Sequence, residues 1–152
     1  MTQIQKVEIK EFYSDPQPEH IVLWVSRHPP IKAQIETLKK KLGSIKVLQV
    51  SGLIPSAEFV AELVKKFNAQ YVVPVLPLSF IARLSELARK NGFTLLWAEM
   101  EMVKQMNSEP KPNVDYNPEN EVFIKGYEGT YKIMRFKQFH VIKAVKLELE
   151  PW

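Results

Sequence analysis

Three consecutive polar residues, Ser26, Arg27 and His28, combine side chains that could bind an anion and move a proton. A guanidinium group can hold a carboxylate or a phosphate through two parallel hydrogen bonds, and an imidazole can exchange a proton near neutral pH. The amides at the start of a following helix would also favour an anion, although Pro29 and Pro30 remove two of those donors. This run therefore predicts a binding site for an anionic small molecule such as a phosphate or a nucleotide.

The polar run follows directly after five apolar residues, 21–25. An unbroken apolar run of this length is typical of a strand that is buried on both faces, as in parallel sheets covered by helices. Similar short runs alternate with helical stripes through residues 20–100, in the order β-α-β-α-β-α-β. This alternation predicts an α/β fold with a Rossmann-like three-layer α/β/α arrangement and a mainly parallel sheet.

The two ends of the chain have a different pattern. Residues 4–13 alternate between apolar and charged side chains and predict an N-terminal strand. Residues 102–120 hold three prolines and four asparagines and predict a long loop. Residues 121–150 predict a β extension, namely an antiparallel hairpin and a last strand over 139–149 with which the N-terminal strand is free to pair. We therefore expect a single domain, 1–152, whose βα core spans 20–101.

The connections that follow the other core strands should lie near Arg27, because parallel strands end at a common edge. Ser51 and Gly52 follow the second core strand, and Ser79 follows the third. The predicted ligand-binding residues are therefore Ser26, Arg27, His28, Ser51, Gly52 and Ser79. A serine before a helix is commonly an N-cap, and this second interpretation applies to Ser79 as it does to Ser56.

Two carboxylates at the end of the fourth core strand suggest an alternative, catalytic function. Glu99 and Glu101 share one strand face and could act with His28 in a phosphohydrolase or a nuclease, as acid and base or around a divalent cation. Two carboxylates alone do not define a metal site, and we predict none. The sequence does not identify a cofactor, and it leaves both a binding module and an enzyme open.

The segment from Leu23 to Pro29 locally resembles the start of the histidine phosphatases, in which a strand leads into Arg-His-Gly. The resemblance implies that His28 would be a phosphoryl acceptor. Pro29 replaces the glycine, however, and no later strand ends in a second histidine, so we assign no family. The glycine-rich dinucleotide and phosphate-loop motifs, the serine-hydrolase elbow and the zinc-protease motif are all missing from the sequence.

The C-terminal hairpin offers a third function, because basic residues interleave with aromatic ones. Basic strands that carry aromatic rings can bind single-stranded nucleic acid, and the candidate residues are Lys125, Lys132, Arg135 and Lys137. The favoured interpretation is structural: alternate aromatic rings pack inward, and lysines keep the sheet from pairing at its edge. An exposed terminal strand could also pair across a two-fold axis and form a homodimer.

The composition sets wider limits on function. The 152-residue chain carries a net charge of +4, and 45% of its residues are hydrophobic, which is ordinary for a globular protein. The absence of cysteine excludes disulfides and thiol catalysis. No signal-type apolar core and no run of about 18 apolar residues occurs, so we expect a cytoplasmic protein without a membrane partner. Richness in Lys, Glu, Ile and Val is typical of thermophilic proteins.

Overall fold

The computed structural model describes residues 7–152, and residues 4–6 of the predicted N-terminal strand lie outside this range. In chain order the elements are β1 (Glu8–Ser14), β2 (His20–Val25), α1 (Lys32–Leu42), β3 (Ile45–Ser51), α2 (Ala57–Phe67), β4 (Tyr71–Pro74), α3 (Leu78–Asn91), β5 (Thr94–Met106), β6 (Glu121–Lys125) and β7 (Tyr131–Ile142). The chain divides into two compact units. The first contains the described residues up to Pro29 with Gly43–Trp97 and Val141–Trp152, and the second contains Pro30–Leu42 and Ala98–His140.

In the first unit, β2 is a central strand and is buried on both faces. It pairs in parallel with β3 on one side and with β4 on the other, and β4 pairs in parallel with the start of β5. Leu23 and Val25 join the main apolar core, while Val22 and Trp24 alternate with them and are also buried. The apolar run in the sequence therefore has its expected physical cause, because neither face of β2 meets water.

Helices α2 and α3 cover one side of this core and pack against each other. Ser56 caps α2, since its Oγ accepts the amide hydrogen of Phe59 at 3.1 Å. The helix ends at Asn68, whose φ of 54° is left-handed and reverses the chain. Gly92 ends α3 in the same way, at a φ of 76°. Both stop signals are readable from the sequence because only a few residue types tolerate this backbone conformation.

The second unit contains α1 and the β6–β7 hairpin. The two strands pair from Glu121 opposite Arg135 to Lys125 opposite Tyr131, and Ile133 and Phe136 on β7 are buried. Within this unit, the amide of Ala33 at the start of α1 donates to the carbonyl of Glu119 at 2.8 Å. The helix is therefore joined through its backbone to the segment that leads into the hairpin.

The predicted Rossmann-like three-layer arrangement with a mainly parallel sheet is wrong. The seven strands of the described residues form a mixed sheet in the order β1-β3-β2-β4-β5-β7-β6. Antiparallel pairing occurs both between β1 and β3 and between β6 and β7. Of the three helices, α1 is part of the second unit, whereas α2 and α3 are part of the first.

Local contacts explain where the strands depart from the sequence pattern. β1 pairs with β3 rather than with the C-terminal region, and Asp15 fixes this pairing because its amide and its carboxylate both bond to the backbone of Ile45. β5 continues to Met106, into the range of the predicted loop. The predicted strand over 139–149 is wrong, since β7 ends at Ile142 and the exposed Leu147 and Leu149 have no sheet face to bury them.

None of the helices in residues 7–152 is long and apolar enough to cross a membrane. Whether the two units count as one domain, as the sequence predicts, stays a prediction.

The buried carboxylate of Glu121 joins the two strands of the hairpin to the loop that precedes them. Its Oε1 accepts the amide hydrogen of Asn117 at 2.7 Å, and its Oε2 accepts two hydrogens from Arg135 at 2.9 and 3.1 Å. The Asn117 amide holds the pKa of Glu121 below its ordinary value of 4.5, and Arg135 acts in the same direction.

We expect Glu121→Ala to lower the free energy of unfolding at pH 7 by about 2 kcal/mol, because Arg135 and the Asn117 amide lose their acceptor. Since the folded pKa is lowered, this stabilisation is complete above the unfolded value and is lost as the pH falls through the folded one. Urea denaturation of both proteins between pH 7 and pH 3 measures the difference. Glu119→Ala is the control, because its exposed carboxylate pairs with Lys32 alone among residues 7–152. A difference that stays constant down to pH 3 would contradict the prediction.

Candidate functional site

The carboxyl ends of β2, β3 and β4 lie level and border a cleft of about 260 Å³ in the first unit. Val25 at the end of β2 is opposite both Val50 on β3 and Pro74 on β4. The residues that line the cleft are Val25, Ser26, Arg27, His28, Val50, Ser51, Gly52, Ile54, Val75 and Leu76. Five of the six predicted ligand-binding residues are therefore together, and Ser79 is the exception.

The loop Ser26–His28 is fixed by hydrogen bonds of its own. The amide of Ser26 donates to the carbonyl of Val50 at 3.1 Å and so extends the pairing with β3. The Oγ of Ser26 accepts the amide hydrogen of His28 at 3.1 Å. Ser26 is 8% exposed, so its hydroxyl group serves as a buried local cap that turns the chain.

Two buried side chains hold the carbonyl groups of the same loop. Gln49 on β3 donates from Nε2 to the carbonyls of Ser26 and Arg27 at 3.0 and 3.2 Å. The indole Nε1 of Trp24 donates to the carbonyl of His28 at 2.8 Å. Three successive carbonyls thus have donors from the core, and the loop has one defined path. The sequence analysis missed Gln49, although a glutamine inside the apolar strand IKVLQVS is a detectable signal.

Arg27 and His28 project from this braced loop and are exposed. Within residues 7–152 the guanidinium of Arg27 makes no ion pair or hydrogen bond, whereas the other arginines of the chain all have acceptors. Arg83 pairs with Glu58 and Glu86, Arg89 donates to the carbonyl of Lys143, and Arg135 pairs with Glu121. Arg27 is therefore the arginine whose guanidinium group has no acceptor among residues 7–152 and could bind a ligand.

Apolar residues form the floor and one side of the cleft. Val25 and Val50 are fully buried beneath it. β4 ends early at Pro74, and the next residue, Val75, is 58% exposed beside the cleft while its amide donates to the carbonyl of Val25. Gly52 has a φ of 101°, a conformation that favours glycine, and turns the chain out of β3 at the rim.

Ser79 lies away from the cleft and is exposed on α3. Its predicted role as an N-cap is wrong, because α3 begins at Leu78 and its N-cap position is Pro77, without a side-chain hydrogen bond. The carbonyl of Pro77 accepts the first helical amides, those of Phe80 and Ile81. Ser79 is therefore already inside the first turn, where its hydroxyl group cannot cap the helix.

Glu99 and Glu101 belong to the second unit, on the part of β5 that runs beside β7. The imidazole that contacts Glu99 is His140, at 2.7 Å, and Gln138 donates to the same oxygen at 3.3 Å. The hydrogen bond from His140 holds the pKa of Glu99 below its ordinary value, with a smaller effect of Gln138 in the same direction. A lowered pKa does not suit a general acid. Among residues 7–152 no three His, Asp or Glu side chains cluster as metal ligands would.

The hairpin residues proposed for nucleic acid are partly occupied by other contacts. Arg135 pairs with Glu121, and Lys137 lies 3.8 Å from Glu101. The ring of Phe123 packs edge-on between those of Tyr116 and Tyr131, at 5.6 and 5.9 Å. These contacts favour the structural interpretation of the aromatic residues. Nucleic-acid binding through the exposed Lys125 and Lys132 stays a prediction.

A second depression in the second unit is formed by residues 113–119. Two of its side-chain oxygens are used within the loop: Oδ2 of Asp115 accepts the amide hydrogen of Lys111 at 2.8 Å, and Oδ1 of Asn117 accepts that of Glu119 at 3.0 Å. These carboxylate and amide oxygens shape the loop itself.

Comparison of the chain with models of protein families, with curated proteins and with solved structures finds no match.

We expect Gln49→Leu to lower the free energy of unfolding by about 2 kcal/mol, because the carbonyls of Ser26 and Arg27 lose their buried donor. The amide of His28 should also exchange its hydrogen faster, since the loop is no longer held. Denaturant titration and hydrogen exchange measure the two effects. Gln17→Leu, at an exposed position, is the control and should change stability by less than about 0.5 kcal/mol. If Gln49→Leu is as stable as the wild type, the hydrogen bonds from Gln49 do not contribute to stability.

The two serines at helix starts give a matched pair. Ser56→Ala should destabilise the protein by about 1 kcal/mol because α2 loses its cap, whereas Ser79→Ala should leave stability unchanged within about 0.5 kcal/mol. Thermal denaturation of the two variants and of the wild type measures both changes in stability. Equal losses would mean that Ser79 caps α3 after all.

Proposed function

We propose that this protein binds a small anionic ligand in the cleft at the carboxyl ends of β2, β3 and β4. The observation that carries the proposal is the exposed guanidinium of Arg27, which lacks a protein acceptor within residues 7–152 although every other arginine has one. An unneutralised arginine at the rim of a cleft is suited to a carboxylate or a phosphate, each of which it can hold with two hydrogen bonds.

The loop that carries Arg27 supports the proposal because it is ordered before any ligand arrives. Gln49 and Trp24 fix its carbonyls, and Ser26 fixes the amide of His28. A preformed loop saves the entropy of ordering the backbone on binding. The place also agrees with the general rule that α/β proteins bind ligands beyond the carboxyl ends of parallel strands.

The charge of the cleft favours binding over catalysis. No Asp or Glu is among the described residues that line it, so within the cleft His28 has neither a carboxylate to orient it nor a second acid or base. The alternative of a phosphohydrolase or nuclease that uses His28 with Glu99 or Glu101 is weakened by the contact of Glu99 with His140. Binding of an anion needs only the groups that line the cleft.

The decisive variant is Arg27→Ala, which removes the fork and leaves the loop's backbone contacts in place. We expect at least one of acetate, butyrate, phosphate and sulfate to raise the melting temperature of the wild-type protein. Arg27→Ala should weaken that anion by roughly ten- to a hundredfold in a calorimetric titration, as expected for loss of a charged bidentate contact.

Arg83→Ala is the matched control, because it removes the same side chain from the same unit outside the cleft, and it should bind like the wild type. The proposal fails if none of the four anions binds, or if Arg27→Ala binds them as well as the wild type does.

A further inference from the structure

We infer that the anion recognised in this cleft is a carboxylate that carries a short apolar group, rather than a phosphate or a nucleotide. The inference rests on the proposed function and names the chemical class of its ligand. Three features of the cleft carry it: the few backbone amides that the loop Ser26–Pro30 leaves for an anion, the apolar walls, and the small volume.

The backbone of the loop offers almost no free amides. Ser26 donates its amide hydrogen to Val50, and His28 donates its own to Ser26 Oγ. Pro29 and Pro30 have no amide hydrogen, so the amide of Arg27 is the one that remains between Ser26 and Pro30 within the described contacts. On the opposite side, the amide of Val75 donates to Val25. Protein sites for phosphate usually surround it with several successive amides, and this loop cannot do so.

Two of the donors that line the cleft suit a group with two oxygens in one plane. Arg27 presents a planar fork, and the hydroxyl group of Ser26 keeps a hydrogen for which no described residue supplies an acceptor. The Ser26 side chain lines the cleft and is 8% exposed, so a ligand oxygen would complete its hydrogen bonding. These two donors can satisfy both oxygens of a carboxylate, and the apolar walls beside them suit a group that has no further oxygens to solvate.

The walls predict what is attached to the carboxylate. Half of the lining residues are apolar: Val25, Val50, Ile54, Val75 and Leu76. Val75 is 58% exposed, and a hydrocarbon group placed over it would remove that surface from water. The volume of about 260 Å³ is near the lower end for small-molecule sites, which favours a short chain over a nucleotide.

A homologous series of carboxylates tests the inference. Acetate, propionate, butyrate, pentanoate and hexanoate are titrated calorimetrically at constant ionic strength, beside inorganic phosphate and sulfate. We expect the affinity to rise roughly threefold for each added methylene until the cleft is filled, since each buries apolar surface. Phosphate and sulfate should bind more weakly than butyrate.

Two variants separate the apolar contact from the charge. Val75→Ser should flatten the dependence on chain length while acetate binds as in the wild type. The control Val114→Ser changes an exposed valine outside the cleft and should keep the full dependence. Arg27→Ala should weaken every member of the series by a similar factor.

Tighter binding of phosphate or sulfate than of every carboxylate, or an affinity independent of chain length, would overturn this inference. The proposed anion site would still stand in that case, provided that Arg27→Ala abolished the binding. If no member of either group binds, the proposed function fails, and the carboxylate assignment fails with it.

Discussion

Burial of β2 on both faces is the constraint on which the rest of the first unit depends. Where such a strand leaves the sheet, its next backbone groups need partners from the protein, because an unpaired polar group in the interior is costly. Gln49 and Trp24 supply donors to three successive carbonyls, and Val50 accepts the amide of Ser26. Hydrogen bonds from buried residues thus fix the path of the loop. This path leaves the side chain of Arg27 exposed.

The choice of glutamine at position 49 has a cost that its role in the loop explains. Gln49 is 4% exposed, and its Oε1 has no hydrogen-bond partner within residues 7–152. An apolar residue would avoid this unsatisfied acceptor, but it would leave the carbonyls of Ser26 and Arg27 without their donor. Buried polar groups that are only partly satisfied are unfavourable in a core chosen for stability alone. Gln49 therefore holds the loop in place at the cost of one unsatisfied acceptor in the core.

Local patterns predict the separate elements well and their assembly poorly. The apolar run of β2 and the cap and stop of α2 are readable, because strand burial and helix ends depend on nearby residues. The strand predicted over 139–149 has the correct alternation but lacks a neighbouring face, as exposed Leu147 and Leu149 show. The pairing of β1 with β3 depends on Asp15 reaching Ile45, thirty positions away. Likewise, the residues predicted at the strand ends include half of those that line the cleft. The hydrogen bonds from Gln49, however, depend on the register between β2 and β3.

The distribution of charge distinguishes the cleft from the rest of the described chain. Carboxylates elsewhere in the described chain neutralise nearby cations, as Glu58 does for Arg83 and Glu121 does for Arg135. The cleft contains no carboxylate among its described lining residues, so its arginine has no acidic partner there. A catalytic pair usually depends on neighbouring groups whose pKa values are shifted in opposite directions. The described lining residues of the cleft supply a cation, hydroxyl groups and apolar walls instead.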